Sequence, residues 1–548
     1  MCTAMRYLFI FILLALLSSW CYGARVVHNW DIGYVMVNRD GYNLRRAIGV
    51  NGKLPVPPVY ITVGDTLVIN VVNSLDAPTT IHAHGLLQNG TSYMDGAGMV
   101  TQCGIPPGTN FTYEHYVHQA GTFWLHGHFN HQNVDGLRTP LIVYDKDLSA
   151  LPMQYDEDVL VFMEEWYPVE FHTRMDELLN PTVTFPPPAS FPFGLINGFN
   201  GNETKPICFM PRKKYRLRVV NMASTEWFKF SLPGHILNII EADGIISQPL
   251  AVDGLDIGPG QRYSVVVQAH NSDEFNYIYN ATLYANFVPL LPGLNPRYYQ
   301  GLIEYKRGAP VKTIAADSDK KVIWAEDTSL RAFDMQPALK VDRTIRLVAG
   351  SRRYKGNMTL AVLDKVPYRP PLAPTLFTAL SMGHLALDEA IYGPQTEAHV
   401  IRHGQVIEID MHNPTAIDHA MHLHGHTFQI TGSGPSGVSS IARLDPAPVK
   451  KFSGWPMKRD TVVVAAFHYV KLRFVADNPG VWLFHCHMDV HFALGLAVTF
   501  VEAPDVLQRT QSIPKDMIQM CLRQGVKASG NGAGNKGFDL SGLPPVPS

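Results

Sequence analysis

Four short stretches of this chain concentrate residues that bind transition metals. They are His82-Ala83-His84, His126-Gly127-His128, His419-Ala420-Met421-His422-Leu423-His424, and His485-Cys486-His487 with His491 four residues on. Val481, Trp482, Leu483 and Phe484 precede the last group and are strand formers. In a strand successive side chains point to opposite faces. Cys486 is therefore expected on one face, with His485 and His487 on the other. A thiolate with two imidazoles and a weak or missing axial ligand is the geometry of blue-copper electron-transfer sites. Each His-x-His puts two imidazoles on one face, close enough to serve neighbouring metals. The set supplies ten imidazoles and one thiolate. That is enough for one mononuclear blue site and a three-copper cluster.

Positioning these groups requires strands, and the sequence repeats itself where they occur. Gly121 to His128 parallels Gly480 to His487, and His82-Ala83-His84-Gly85-Leu86 parallels His422-Leu423-His424-Gly425-His426. The first and last domains thus read as copies of one sandwich. Gly127 takes the place of Cys486, so the first copy can contribute only to a cluster between domains. The region from about Glu157 to Lys306 has strand-like runs, such as Tyr215 to Val220 and Arg262 to Val267, but no His-x-His. Its expected role is architectural, including one wall of a substrate site. The length fits about three or four domains. Gly 44 and Pro 40 match many turns between short strands, and no long amphipathic helical pattern occurs. The expected layout is 24–150, 151–310 and 330–503, with a tail over 504–548. Linkers are read at Asp145 to Met153 and Arg307 to Pro337. The Gly-rich and Pro-rich end of the tail is expected to be mobile at the surface.

A net charge of −2 points to neither nucleic acid nor an anionic membrane as partner. Met1 to Gly23 reads as a secretory signal, with Arg6 in its n-region and Leu8 to Leu17 as its apolar core. No later stretch has the roughly twenty apolar residues of a membrane helix, so no anchor is expected. Of six cysteines, Cys2 and Cys21 fall in the signal and Cys486 in the metal motif. Two of Cys103, Cys208 and Cys521 are expected to pair in a secreted protein. Sequons at Asn89, Asn110, Asn202, Asn280 and Asn357 support glycosylation on that route.

From about Asn51 to Ala503 the chain resembles the multicopper oxidases, in the fungal branch that holds iron-uptake ferroxidases and pigment laccases. The resemblance is carried by the histidine motifs, by Thr80 to Thr91, Met94-Asp95-Gly96 and Thr101-Gln102-Cys103, and by Asp477-Asn478-Pro479-Gly480-Val481-Trp482. It implies an all-β fold of three consecutive cupredoxin-type Greek-key sandwiches. It implies four copper ions. His419, Cys486 and His491 would bind the type 1 copper, and His82 and His422 the type 2 copper. His84, His126 and His487 would hold one type 3 ion, and His128, His424 and His485 the other. Electrons would enter near His491 or His419 and leave through Cys486 to His485 and His487. Asp95 and Asp489 match acidic positions near the cluster that relay protons or orient ligands. Leu496 falls where the axial Met often lies and cannot coordinate, which raises the potential. Laccases of this kind suggest a Cys103–Cys521 disulfide, leaving Cys208 as a buried thiol.

The donor is read from loops near the type 1 site. Ferroxidases resembling this chain bind ferrous iron with carboxylates there. The matching positions fall near Asn180 to Pro186, near Val288 to Leu291 and at His384, and carry no carboxylate. Phe185, Leu290 and His384 are therefore candidate pocket residues for a flat aromatic donor. The expectation is a secreted, monomeric, laccase-like oxidase. It would couple aromatic polyketides, as in pigment or secondary-metabolite synthesis, while reducing O2 to water. Iron oxidation is the alternative, and a copper-binding structural protein the third reading.

Overall fold

The computed structural model describes residues 23–546, apart from 180–191, 201–204, 285–296, 315–321, 355–358 and 437–453. Residues 1–22 of the expected signal, Phe185 and Leu290 therefore lie outside the described residues, as do Asn202 and Asn357.

The strands form three sandwiches of two sheets each, over residues 25–144, 157–304 and 343–502. In the first, the sheet Arg45–Val50, Arg25–Val37, Thr66–Asn73, Asn110–Tyr116 faces the sheet Val59–Thr62, Arg138–Tyr144, Gly121–Gly127, Ile81–His84. All three sandwiches share the topology of the first, including two parallel pairs in otherwise antiparallel sheets, and the second and third insert further strands into it. Arg25–Val37 runs parallel to Thr66–Asn73, Glu157–Trp166 to Lys214–Asn221, and Arg343–Arg353 to Val406–His412. Val59–Thr62, Ile207–Cys208 and Ala398–Ile401 make the second parallel pair of each domain. The middle domain is thus a third copy of the fold, with no metal-ligand group among its described residues.

Strand composition follows burial. Tyr277–Tyr284 alternates between buried and half-buried positions, as a strand with one face on the core should. Gly121–Gly127 and Gly480–Cys486 are buried along their whole length, which explains their nearly continuous apolar sequence. The alternation then sorts the second of these strands between domains. Val481 and Leu483 join the first domain's core, whereas Trp482, Phe484 and Cys486 join the third domain's core.

Two expectations need correction. The tail is docked, not mobile, through its described residues. Leu507, Met517, Met520 and Cys521 belong to the first domain's core, and Cys521 is disulfide-bonded to Cys103. Asn531 is fully buried and ties Gly537 and Asp539 by their carbonyls. Cys208 is free but exposed. It lies on the short strand Ile207–Cys208, where alternation turns Ile207 inward and Cys208 out.

Candidate metal centres

The copied motifs occupy one register. His82 pairs with His126 and Ile81 with Gly127. In the third domain His422 pairs with His485 and Met421 with Cys486. A Cβ at Gly127 would meet the Leu137 side chain at 2.9 Å, so packing fills the place of a thiolate in the first domain. His485 and His487 share the strand face of Val481 and Leu483, and so look toward the first domain. Cys486 points into the third domain's core.

There Cys486 meets its two partners. Its Sγ lies 3.7 Å from His419 Nδ1 and 3.5 Å from His491 Nδ1, and the two nitrogens are 3.1 Å apart. His491 comes from the short helix Asp489–Leu494, which begins just past the strand. Leu496 is buried in the same core, and its carbonyl accepts from the Cys486 amide at 3.0 Å. Burial pushes the Cys486 thiol up to about 12 and holds His491 down to about 4. Burial thus holds all three groups uncharged, and a metal ion bound among them would have to displace the thiol proton.

The other histidines converge between the first and third domains. Ligand atoms of His84, His126 and His487 lie within 4.8 Å of one another, as do those of His128, His424 and His485. His82 and His422 form a further group with His84. Burial lowers the basicity of His84, His126, His422, His424 and His485 well below the ordinary imidazole range. Neutral imidazoles are the form that binds metal. One nitrogen of most rings is already committed. His82 Nδ1 donates to the Asp95 carbonyl at 2.7 Å, and His422 Nδ1 to the Asp460 carbonyl at 2.9 Å. His126 Nδ1 donates to the Gly127 carbonyl, and His485 Nδ1 to the Cys486 carbonyl. Among the described residues, His82 Nε2, His126 Nε2, His422 Nε2 and His84 Nδ1 are buried with no hydrogen-bond partner. Such orphaned, oriented nitrogens fit metal ions, and their second bonds fix tautomer and ring angle.

Asp95 is fully buried and accepts from His424 Nδ1 at 2.8 Å. Gly96 seats it: a Cβ there would lie 1.9 Å from the Ile81 carbonyl oxygen. Asp489 lies at the edge, 3.5 Å from His131 Nδ1, with Asn133 Nδ2 donating to it at 3.2 Å. Burial opposes its ionisation, but His131 holds its carboxyl below the usual range. A cavity of about 340 Å³, lined by His126, His128, His131, His485, His487 and Asp489 among others, opens this region to small molecules.

The Asp477 to Trp482 motif is a clasp. Asn478 Nδ2 donates to the Leu87 and Gly425 carbonyls, joining two domains, and Trp482 Nε1 donates to the Asn478 carbonyl. His384 is not brought to the Cys486 group. It is exposed on a short helical turn and lines a surface groove with Arg343, Asp388, Arg402 and Phe538. The outer edge of His419 is met by Thr415, whose Oγ1 lies 3.1 Å from Nε2. Sequence reading also missed Asp460, whose Oδ1 lies 3.2 Å from His84 Nε2. An isolated Arg459-Asp460-Thr461 carries no metal-ligand spacing that would have marked it.

Comparison with known proteins agrees with this geometry. Models of the multicopper oxidase family match residues 31–148, 157–295 and 368–506. The iron multicopper oxidase of Mycosarcoma maydis is 36% identical, covering 96% of this chain and 88% of that protein. An iron transport multicopper oxidase of Epichloe festucae is 34% identical, covering 96% and 84%. The crystal structure of Fet3p, described as functioning in iron import, superposes with a TM-score of 0.86 at 29% identity, covering 94% of this chain and 98% of that one. A laccase from Botrytis aclada gives 0.75 at 26%, covering 92% of each. Three of these four relatives are named for iron and none for pigment synthesis, which corrects the likeness to pigment laccases expected from the sequence. The chain belongs to the multicopper oxidases, copper-dependent oxidoreductases that use O2.

Proposed function

We propose that this chain oxidises ferrous iron, with electrons entering at the Cys486 group and O2 reduced between the first and third domains. The observation that carries the reading is similarity along nearly the whole chain to multicopper oxidases named for iron, its transport or its import. Copper, when bound, supplies one-electron acceptance from the donor and the four-electron reduction of O2 to water. His419, Cys486 and His491 would hold the type 1 ion, and His82 and His422 the type 2 ion. His84, His126 and His487 would hold one type 3 ion, with His128, His424 and His485 on the other. Cys486 sits between His485 and His487 in the chain, so the backbone joins the two centres. Asp489 with His131, and Asp95 with His424, are placed to move or hold protons beside the cluster.

Asp418, a hard oxygen donor, precedes His419 in the chain. In the middle domain, within reach of the Asp418 charge, Tyr284 donates to Asp256 at 2.5 Å. Burial raises the Asp256 carboxyl against the pull of Tyr284 and Lys229, and the Asp418 charge adds to the rise. Oxygen donors of this kind suit ferrous iron. The secretory route is supported by the Cys103–Cys521 bond, which needs an oxidising compartment. No described helix is long and apolar enough to cross a membrane.

A second reading, oxidation of an aromatic donor, is favoured by Phe185 and Leu290 at positions where iron carboxylates were expected. Oxygen consumption at matched pH, corrected for iron autoxidation, separates the two. We expect kcat/KM for ferrous iron to exceed that for a naphthol at least about tenfold, or about 1.4 kcal/mol of transition-state stabilisation. Equal or better efficiency with the naphthol would replace the first reading by the second.

A further inference from the structure

The middle domain carries no ligand motif, yet one of its turns presses on the cluster. The turn runs Gly258-Pro259-Gly260-Gln261-Arg262. A Cβ on Gly260, which has φ +83°, would lie 3.0 Å from His84 Cε1 and 3.0 Å from His487 Cδ2. Backbone therefore abuts two of the imidazoles directly.

Arg262, at the end of this turn, is fully buried and touches all three domains. Its Nη1 and Nη2 donate to Asp460 Oδ1 and Oδ2 of the third domain, at 2.8 and 2.7 Å. Its Nε donates to the Thr122 carbonyl of the first domain at 2.9 Å. Nη1 also donates to the Gly260 carbonyl at 3.0 Å, which ties the guanidinium to the turn. Asp460 passes this order inward. Oδ1 faces His84 Nε2 at 3.2 Å and accepts from Thr461 Oγ1 at 2.8 Å, while the Asp460 carbonyl accepts from His422 Nδ1. The same pair explains the glycine of the first His-x-His-Gly. A Cβ on Gly85 would meet Arg262 Nη2 at 2.5 Å and Asp460 Oδ2 at 2.8 Å. Arg459, on the other side of Asp460 in sequence, is clamped by Asp243 of the middle domain at 2.8 and 2.9 Å.

We infer that Arg262 is a positioning residue for the type 2 end of the copper cluster. It acts through Asp460 on the type 2 ligand His422 and on its neighbour His84, a type 3 ligand, so the middle domain sets the geometry of a site to which it gives no ligand. This rests on the copper assignment proposed above. A planar fork is needed to hold both carboxylate oxygens at once, which a lysine cannot do. Outer partners of metal ligands commonly change metal affinity by 10–100-fold.

The test is copper titration of the metal-free protein followed by electron paramagnetic resonance, on the full chain. In Arg262→Met the type 2 signal should appear at a copper concentration at least about tenfold higher than in the parent. The blue type 1 absorption should fill as before. Arg262→Lys, which keeps the charge and loses the fork, should also weaken type 2 binding. Asp460→Asn is the second variant, should the arginine variants not fold. It should weaken the same signal while leaving the blue band intact. Parent-like type 2 affinity and hyperfine splitting in any folded variant of the three would overturn the inference. A parent protein that shows no type 2 signal would instead refute the copper assignment, so the two failures are distinguishable.

Discussion

Leu496 is the residue whose chemistry is most open to direct measurement. It is buried with Cys486 in one core and cannot coordinate. Leu496→Met offers a thioether, which favours the cupric state. The type 1 potential should fall, read by redox titration of the blue band, and an unchanged or raised potential would remove Leu496 from the axial place. Glu226 makes a second test. Burial first, then the Glu165 charge, raises its carboxyl to about 8, against Thr225, Arg174 and Arg297. Between its ordinary range and about 8 the folded chain holds a proton that the unfolded chain releases. Stability is therefore lost as pH rises through that window, at up to about 1.4 kcal/mol per pH unit. Glu226→Gln has no proton to lose. Its melting temperature relative to the parent should rise between pH 5 and pH 8, and a constant difference would mean that Glu226 is ionised throughout. At this scale the ligands were legible because His-x-His and His-Cys-His keep their meaning without a fold. Asp460 and Arg262 were not, because each acquires its role only from a neighbour far away in sequence. His384 failed for the converse reason: an expected alignment put it beside the copper, and the fold puts it in a surface groove.

At the scale of elements, two strand pairs and their glycines do the positioning. The alternation along Gly480–Cys486 separates the thiolate from the imidazoles, which sequence alone foretold. What it could not foretell is how closely the surrounding loops approach. Gly96, with φ +82°, lets Asp95 reach His82 and His424, because any side chain would overlap the Ile81 carbonyl. Gly96→Ala should cost at least about 1–3 kcal/mol from backbone strain alone. It should also lower copper retention in the cluster, measured by metal analysis after dialysis, more than at the type 1 site. Equal retention at both sites would show that the seat of Asp95 has little bearing on the cluster.

For the whole molecule, three copies of one topology hold a site that lies between two of them and leans on the third. The repeat between the first and last copies was visible in the motifs. The middle copy's kinship was hidden, since its likeness is in strand order and not in residues. The tail was misread because Gly and Pro signal turns as readily as mobility. Here its preceding helices dock on the first domain, and the Cys103–Cys521 bond closes a separation of 418 residues. Cys521→Ser should destabilise that junction by about 2–5 kcal/mol. The first calorimetric transition should then fall, and proteases should release the tail sooner; parent-like values for both would show that core packing alone suffices. The central claim is that the cysteine-bearing site and the histidine cluster are separate centres joined at one strand end. Metal analysis and spectroscopy of Cys486→Ser test it most directly. The variant should lose the intense blue absorption and one of four coppers per chain, keeping the cluster's three, because His485 and His487 remain. Retention of the blue band, or loss of all four coppers from a folded chain, would contradict it.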